Sequence, residues 1–233
     1  MKNTYVLIGG SSGIGLEVAK KLDAEDNQVF VLCRHRRALP ESDRIVHIPF
    51  DVLQEPFPEV ALPVEAINGL AYFPGSINLK PFRSLKQSDF MSDLAINYLG
   101  AVRVLQSFEQ ALKKGTGSVV LFSTVAVQTG MPFHASVAGA KGAIEGLVRA
   151  LAAEWAPTVR VNAVAPSLTR TPLAARLLDS PRKEEAAATR HPLKRVGNPR
   201  EIADAVCYLL SPEASWITGQ IWHLDGGMSS IRI

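Results

Sequence analysis

Short blocks of apolar residues alternate along the chain with longer amphipathic stretches. Thr4–Ile8 (TYVLI) has the pattern of a buried strand, and from Leu16 the positions Leu16, Ala19, Lys20 and Leu22 recur at spacings of three or four, which predicts a helix. Gln28–Cys33 (QVFVLC), Arg44–Ile48 and Ile67–Phe73 (INGLAYF) read as the second, third and fourth strands. A helix is expected over Ser88–Lys113, a strand over Ser118–Ser123 (SVVLFS), and a helix over Ala135–Trp155. A strand over Val159–Val164, a helix near Pro199–Leu210 and a last strand at Gln220–His223 complete the series. Strands that alternate with helices imply an α/β fold, a doubly wound parallel sheet with right-handed crossovers and helices on both faces. Ligands of such sheets sit beyond the carboxyl ends of the strands. The proline-rich stretch Ala38–Glu65 leaves little room for a full helix between strands two and three, and Pro172–Pro192 reads as a mobile helical lobe over the site.

Composition narrows the function classes. At 233 residues and 47% hydrophobic, the chain is long and apolar enough for one sizeable core, so residues 1–233 are expected to form a single domain. A net charge of +3 is too small to argue for nucleic acid or a membrane surface. Cys33 and Cys207 are the only cysteines and lack metal-ligand spacing, which suits a reducing compartment and predicts no metal site. Met1-Lys2-Asn3 runs straight into the first strand, so a cytoplasmic protein without a signal peptide is expected.

The first strand is followed at once by Gly9-Gly10-Ser11-Ser12-Gly13-Ile14-Gly15. A strand turning through glycines into a helix presents free N–H groups and the positive dipole end to whatever lies above it. Gly9 suits the tight turn, Gly13 lets a pyrophosphate approach the backbone, and Gly15 lets helix and strand pack closely, while Ser11 and Ser12 add hydroxyl donors. An ordinary strand–helix loop is the alternative, but the strand before and the helix after favour a nucleotide-binding turn of the Rossmann type. An NAD-selecting site needs a carboxylate at the end of the second strand. Cys33 stands there instead and Arg34 follows, with His35 or Arg36 nearby, so NADP is the expected cofactor, its 2′-phosphate meeting the Arg34 guanidinium.

Glycines 9, 13 and 15, Asp51-Val52 after the third strand, Asn97 in a helix, Ser123-Thr124 ending a strand and Lys141 in the next helix together resemble the short-chain dehydrogenase/reductase family. Arg160-Val161-Asn162-Ala163-Val164-Ala165-Pro166, Thr218-Gly219-Gln220 and Asp225-Gly226-Gly227 extend the resemblance over essentially the whole chain, most of all to keto-group reductases such as the 3-oxoacyl carrier-protein reductases. The resemblance implies that Gly9, Ser12, Gly13, Ile14 and Gly15 surround the pyrophosphate, Asp51 and Val52 hold the adenine, and Lys141 bridges the ribose hydroxyls. It implies further that Gly75, Pro166, Thr169 and Thr171 complete the cofactor site, with Pro166, Thr169 and Thr171 at the nicotinamide carboxamide and nearby phosphate. Asn97, Thr124 and Lys141 would then serve the chemistry on a small-molecule carbonyl substrate. A homodimer or homotetramer is expected, because Ala138, Gly142, Gly146, Ala150 and Ala153 line one side of a helix that a partner helix can approach closely.

Four departures stand out against that resemblance. The family's Asn-Asn-Ala-Gly is Tyr72-Phe73-Pro74-Gly75, which removes amide hydrogen bonds that brace the sheet; its Pro-Gly is Pro166-Ser167; and Thr124 replaces a serine but keeps a hydroxyl. Val137 stands four residues before Lys141, where the family has its catalytic tyrosine. Hydride addition to a carbonyl generates an alkoxide that needs a proton, and valine has none to give. Thr124, His134 one turn earlier, or a water between Thr124 and Lys141 are the remaining sources, and Ser136 should point elsewhere. Three readings follow: an NADPH-dependent carbonyl reductase with a substitute donor, an NADP(H)-binding pseudoenzyme or partner subunit, or a non-redox enzyme such as a dehydratase or isomerase. Intact glycines argue for cofactor binding, and the lost tyrosine argues against routine ketone reduction.

Overall fold

A computed structural model of the chain describes residues 3–55 and 62–232. Seven parallel strands form one sheet: β1 (Thr4–Ile8), β2 (Gln28–Cys33), β3 (Ile45–Pro49), β4 (Gly69–Tyr72), β5 (Ser118–Phe122), β6 (Arg160–Pro166) and β7 (Ile221–Leu224), in the order β3-β2-β1-β4-β5-β6-β7. β1 pairs on one side with β2 (Ile8 beside Leu32) and on the other with β4 (Ile8 beside Tyr72). Strand order reverses there, which opens a crevice at the carboxyl ends of β1 and β4.

Period-two alternation sends successive side chains to opposite faces, and both faces are covered. Val6, Ile8, Leu70, Val119 and Leu121 pack with α3 (Gly100–Lys114) and α5 (Ala135–Trp155), through Val104, Leu105, Ile144 and Val148. Tyr5, Leu7, Val31, Ala71 and Val120 pack with α1 (Gly13–Ala24) and α7 (Pro199–Leu210), through Val18, Leu22, Val206 and Leu209. Each such fully buried aliphatic side chain contributes about 1.5–3 kcal/mol. The Arg160-Val161-Asn162 motif is structural: Arg160 donates to the carbonyls of Leu209, Ile217 and Ser211, and Asn162 bonds Ile217 O and Gln220 N, tying β6 to the chain between α7 and β7.

Several boundaries move from their expected places. β3 starts at Ile45, with the Arg44 side chain turned to Asp23 and Asp26, and β4 starts at Gly69, with the Ile67 amide donating to Ala111 near the end of α3. A short α4 (Val125–Thr129) intervenes before α5, and the lobe expected over Pro172–Pro192 contains a 3₁₀ turn (Pro172–Leu177) and α6 (Pro181–Thr189). No helix forms between β2 and β3, while residues 56–61 of the proline-rich stretch lie outside the described residues.

The helix expected over Ser88–Lys113 is interrupted. α2 (Gln87–Leu94) passes into α3 through one π-helical turn, Ala95–Leu99. The Tyr72 hydroxyl donates to Ile96 O at 2.6 Å across this widened turn, and Gly100 admits it, since a Cβ there would lie 2.4 Å from Tyr72 Oη. Tyr72 therefore supplies a brace of its own between sheet and helix, where the family's amide is absent. Burial, with Asp51 a smaller influence, pushes the phenol pKa up, so Tyr72 stays a proton-bearing donor.

This contact predicts non-additive energetics. Tyr72→Phe should cost about 0.5–1.5 kcal/mol by removing the bond to the Ile96 carbonyl, and Gly100→Ala about 1–3 kcal/mol by overpacking against the hydroxyl. In the double variant the clash is gone and alanine's helix preference is restored, so urea unfolding should give a loss well below the sum of the singles. Strictly additive losses would show that the hydroxyl and Gly100 do not share this space.

Candidate active site

The turn after β1 is built for close approach. Gly9 has φ +82° and a Cβ there would lie 3.1 Å from Pro74 Cδ, while a Cβ on Gly15 would come within 2.9 Å of Gly10 Cα. Gly13 has φ +55°, a conformation that favours glycine, and lies against Thr171. Ser12 is the N-cap of α1 but makes no side-chain cap, so its hydroxyl and the first N–H groups of α1 remain available to an anion. Ser11, Ser12, Gly13, Ile14 and Gly15 line one cleft of about 960 Å³, at the upper end of the roughly 300–1,000 Å³ typical of small-molecule sites.

At one end of the cleft stand Arg34, His35, Asp51 and Val52. Cys33 is buried and donates to His35 O at 3.3 Å, which fixes the turn leaving β2 and directs Arg34 outward. Arg36, expected to assist Arg34, instead donates to Pro40 O; Arg37, held at φ +46°, lines the cleft in its place. Asp51 accepts from the Leu53 amide at 3.0 Å, which holds its carboxylate at the wall.

The other end holds Thr124, Val137 and Lys141. Thr124 caps α4, accepting from Ala126 N at 3.4 Å, and keeps its hydroxyl proton for a cleft ligand. Lys141 is buried on α5, and burial pushes its ammonium down to about 8 while nearby Asp93 opposes the shift. Burial thus makes this ammonium a stronger acid than that of a free lysine. Val137, one turn earlier and only 6% exposed, presents hydrocarbon beside it. His134 also lines the cleft, but its Nδ1–H is given to Pro132 O at 2.8 Å. Ser136 is buried away from the cleft, as expected, with its hydroxyl unpartnered.

Asn97, expected to serve the chemistry, does not itself line the cleft. It is fully buried behind the wall, on the π-helical turn. Its Nδ2 donates to Ser76 Oγ and to Asp93 O, both at 2.8 Å, and its Oδ1 accepts from Ser76 N at 3.4 Å. Gly75 separates it from the cleft: a Cβ there would lie 3.0 Å from Asn97 Oδ1 and 3.5 Å from Lys141 Nζ.

Pro166, Ser167, Thr169 and Thr171 form a third wall. Thr169 gives its proton to Ser167 O at 3.0 Å, so that hydroxyl is committed within the loop; Thr171 accepts from Ala174 N and keeps its proton, beside Gly13. His191, 1% exposed, donates from Nδ1 to Ala187 O, so Nε2 accepts from Ser167 Oγ at 2.9 Å. The serine in place of glycine thus ties this loop to the lobe. Arg176, Lys183 and Arg190 of the lobe also reach the cleft. Sequence reasoning missed these, along with Ser76, Asp93 and His191, because only the lobe's folding back over the sheet and the π-helical turn bring them in. Among the described residues no cluster of three or more His, Cys, Asp or Glu could hold a metal, and no helix is long and apolar enough to cross a membrane.

Over residues 9–229 the chain matches the family described as enoyl-(acyl carrier protein) reductase. It is similar to a tropinone reductase homologue of Arabidopsis thaliana, 33% identical over 240 residues that span 96% of this chain and 92% of the relative. It is also similar to galactitol 2-dehydrogenase (L-tagatose-forming) of Cereibacter sphaeroides, 30% identical over 233 residues, 94% of this chain and 92% of that one. A solved short-chain type dehydrogenase/reductase from Mycobacterium ulcerans superposes with a TM-score of 0.90 at 27% identity, covering 100% of this chain and 91% of its own. A sheet whose glycine turn, Thr124 and Lys141 share one cleft, together with these relatives across nearly the full length, identifies the chain as a member of the short-chain dehydrogenase/reductase family of oxidoreductases.

Proposed function

We propose that this protein reduces a small-molecule carbonyl with NADPH, using a proton donor other than the family's tyrosine. One observation carries the reading: a single cleft runs from Arg34 and the glycine turn to Thr124 and Lys141. In it the free N–H groups of α1, with Ser11, Ser12, Gly13, Ile14 and Gly15, would hold the pyrophosphate. Gly9 and Gly75 allow the backbone to lie close beneath, Asp51 and Val52 would take the adenine, and Arg34 with Arg37 the 2′-phosphate. Pro166, Thr169 and Thr171 would border the nicotinamide, Thr169 through its loop rather than its committed hydroxyl. The bound dinucleotide would supply hydride; Thr124 would polarise the carbonyl, Lys141 would hold the ribose, and Asn97 supports the wall behind Gly75. Relatives named as a reductase and a dehydrogenase agree with this chemistry.

A homodimer or homotetramer belongs to this reading. Gly146 on α5 has nothing within 4 Å of an added Cβ, and Ala150 and Ala153 are exposed, so this part of the helix surface is open among the described residues; a monomer mass by light scattering at micromolar concentration would remove the prediction. The same open side, with Val137, favours a second reading as an NADP(H)-binding partner subunit without turnover. A cytoplasmic location remains the expectation from the sequence.

Calorimetry with purified protein should give tighter binding of NADPH than of NADH, and Arg34→Ala should weaken NADPH selectively, by about 1.5–3 kcal/mol for a hydrogen bond to a charged group. Equal affinities for the two would refute the NADP assignment. NADPH oxidation against a carbonyl panel should be measurable in the wild type but slower than in a reductase that has the tyrosine. Val137→Tyr should raise it, Thr124→Ala should lower it, and His134→Ala should leave it nearly unchanged. Ordinary reductase rates in the wild type, slowed by Val137→Tyr, would sink the missing-acid argument, and a silent wild type revived by tyrosine would favour the second reading.

A further inference from the structure

Behind Gly75, in the wall beside Lys141, lies a carboxylate that nothing in the cofactor site requires. Asp93 sits on the last turn of α2 and is 2% exposed. Ser76 Oγ donates to its Oδ1 at 2.5 Å, and Asn97 holds Ser76 in place from the other side. The second oxygen, Oδ2, is buried and has no hydrogen-bond partner. A buried carboxylate oxygen left unpaired is costly unless a positive charge offsets it. α2 packs against α5, and the ammonium of Lys141 is the charge that Asp93 acts on.

We propose that Asp93 is a positioning residue that keeps the buried Lys141 protonated, and that Lys141 is thereby the proton donor to the carbonyl oxygen. This rests on the reductase reading above. A lysine buried alone tends to lose its proton, whereas an anion nearby favours the charged form. The other titratable groups around this part of α5 are engaged elsewhere: Glu145 accepts from Ser123 Oγ at 2.7 Å and pairs with Arg149, and His134 is turned to Pro132 O. With valine rather than a hydroxyl one turn before it, nothing from that position shares the ammonium's protons. Its pKa, near 8, is close to what an acid working at neutral pH needs. As the carbonyl carbon accepts hydride from the reduced dinucleotide, a C–H bond forms and the C=O π pair moves to oxygen. An Nζ–H bond of Lys141 breaks as the new O–H bond forms, and the neutral amine regains its proton from solvent in the cleft.

The test needs neither cofactor nor substrate. The rate of Lys141 acetylation by acetic anhydride, followed by peptide mass spectrometry across pH, reports the amine's titration in the apo protein. The wild-type midpoint should lie near 8. Asp93→Asn keeps an acceptor for Ser76 but removes the charge, so the midpoint should fall by about one unit or more, at least about a fivefold rise in reactive amine at pH 7. Asp93→Glu keeps the charge and should stay near the wild type, a check that packing damage is not the cause. An unmoved midpoint in Asp93→Asn, or an equal fall in both variants, would overturn the proposal. In turnover, the loss of rate at high pH should move down by the same amount in Asp93→Asn, and an unmoved limb would overturn Lys141 as the acid. A wild type silent toward every carbonyl would overturn the reductase reading while the titration still reported on the Asp93–Lys141 coupling.

Discussion

Everything in the cleft depends on how closely the backbones leaving β1 and β4 can run. Gly9 lies against Pro74, Gly15 against Gly10, and Gly75 between Asn97 and Lys141, each at a distance where a Cβ would collide or force a shift. Because strand order reverses between these two strands, the loops diverge to opposite faces and leave the space a dinucleotide needs. The helix N-terminus of α1 aims at one part of that space and the buried lysine of α5 at another. The same close approach at Gly75 lets a carboxylate on α2 influence a lysine on α5.

Much of the fold is legible in the chain because buried parallel strands leave near-continuous apolar runs. Val29 through Cys33 and Val119 through Phe122 are buried on both faces, and their runs stand out without any alternation. The glycine turn is equally legible, since its residues act through backbone conformation that the sequence dictates directly. Features produced by contacts distant in sequence are not. The π-helical turn depends on Tyr72 reaching Ile96 past Gly100, and neither residue alone signals it. Asn97 stands out in the sequence, but its place behind the wall rather than in it follows from that turn.

At the chemical end the sequence raises a question that the packing reshapes. Val137 removes a hydroxyl from α5, yet the lysine one turn on is buried, lowered in pKa and coupled to a carboxylate. An ammonium near pKa 8 is intrinsically a stronger acid than an unperturbed phenol near 10. Losing the tyrosine therefore need not end proton transfer. His134, by contrast, loses ground as a donor once its Nδ1 proton is given to a neighbouring carbonyl. The lobe contributes at the other wall, where His191 and Ser167 join α6 to the loop after β6.

The central claim is that hydride moves from a nicotinamide to a carbonyl carbon in this cleft. Isotope transfer tests it most directly: the wild type is incubated with a carbonyl panel and NADPH deuterated at C4, each diastereomer in turn. The account predicts one deuterium on the carbinol carbon of the product per NADPH consumed, from one of the two diastereomers. Binding of NADPH with no deuterated carbinol from any carbonyl, under conditions where Val137→Tyr does form one, would contradict it.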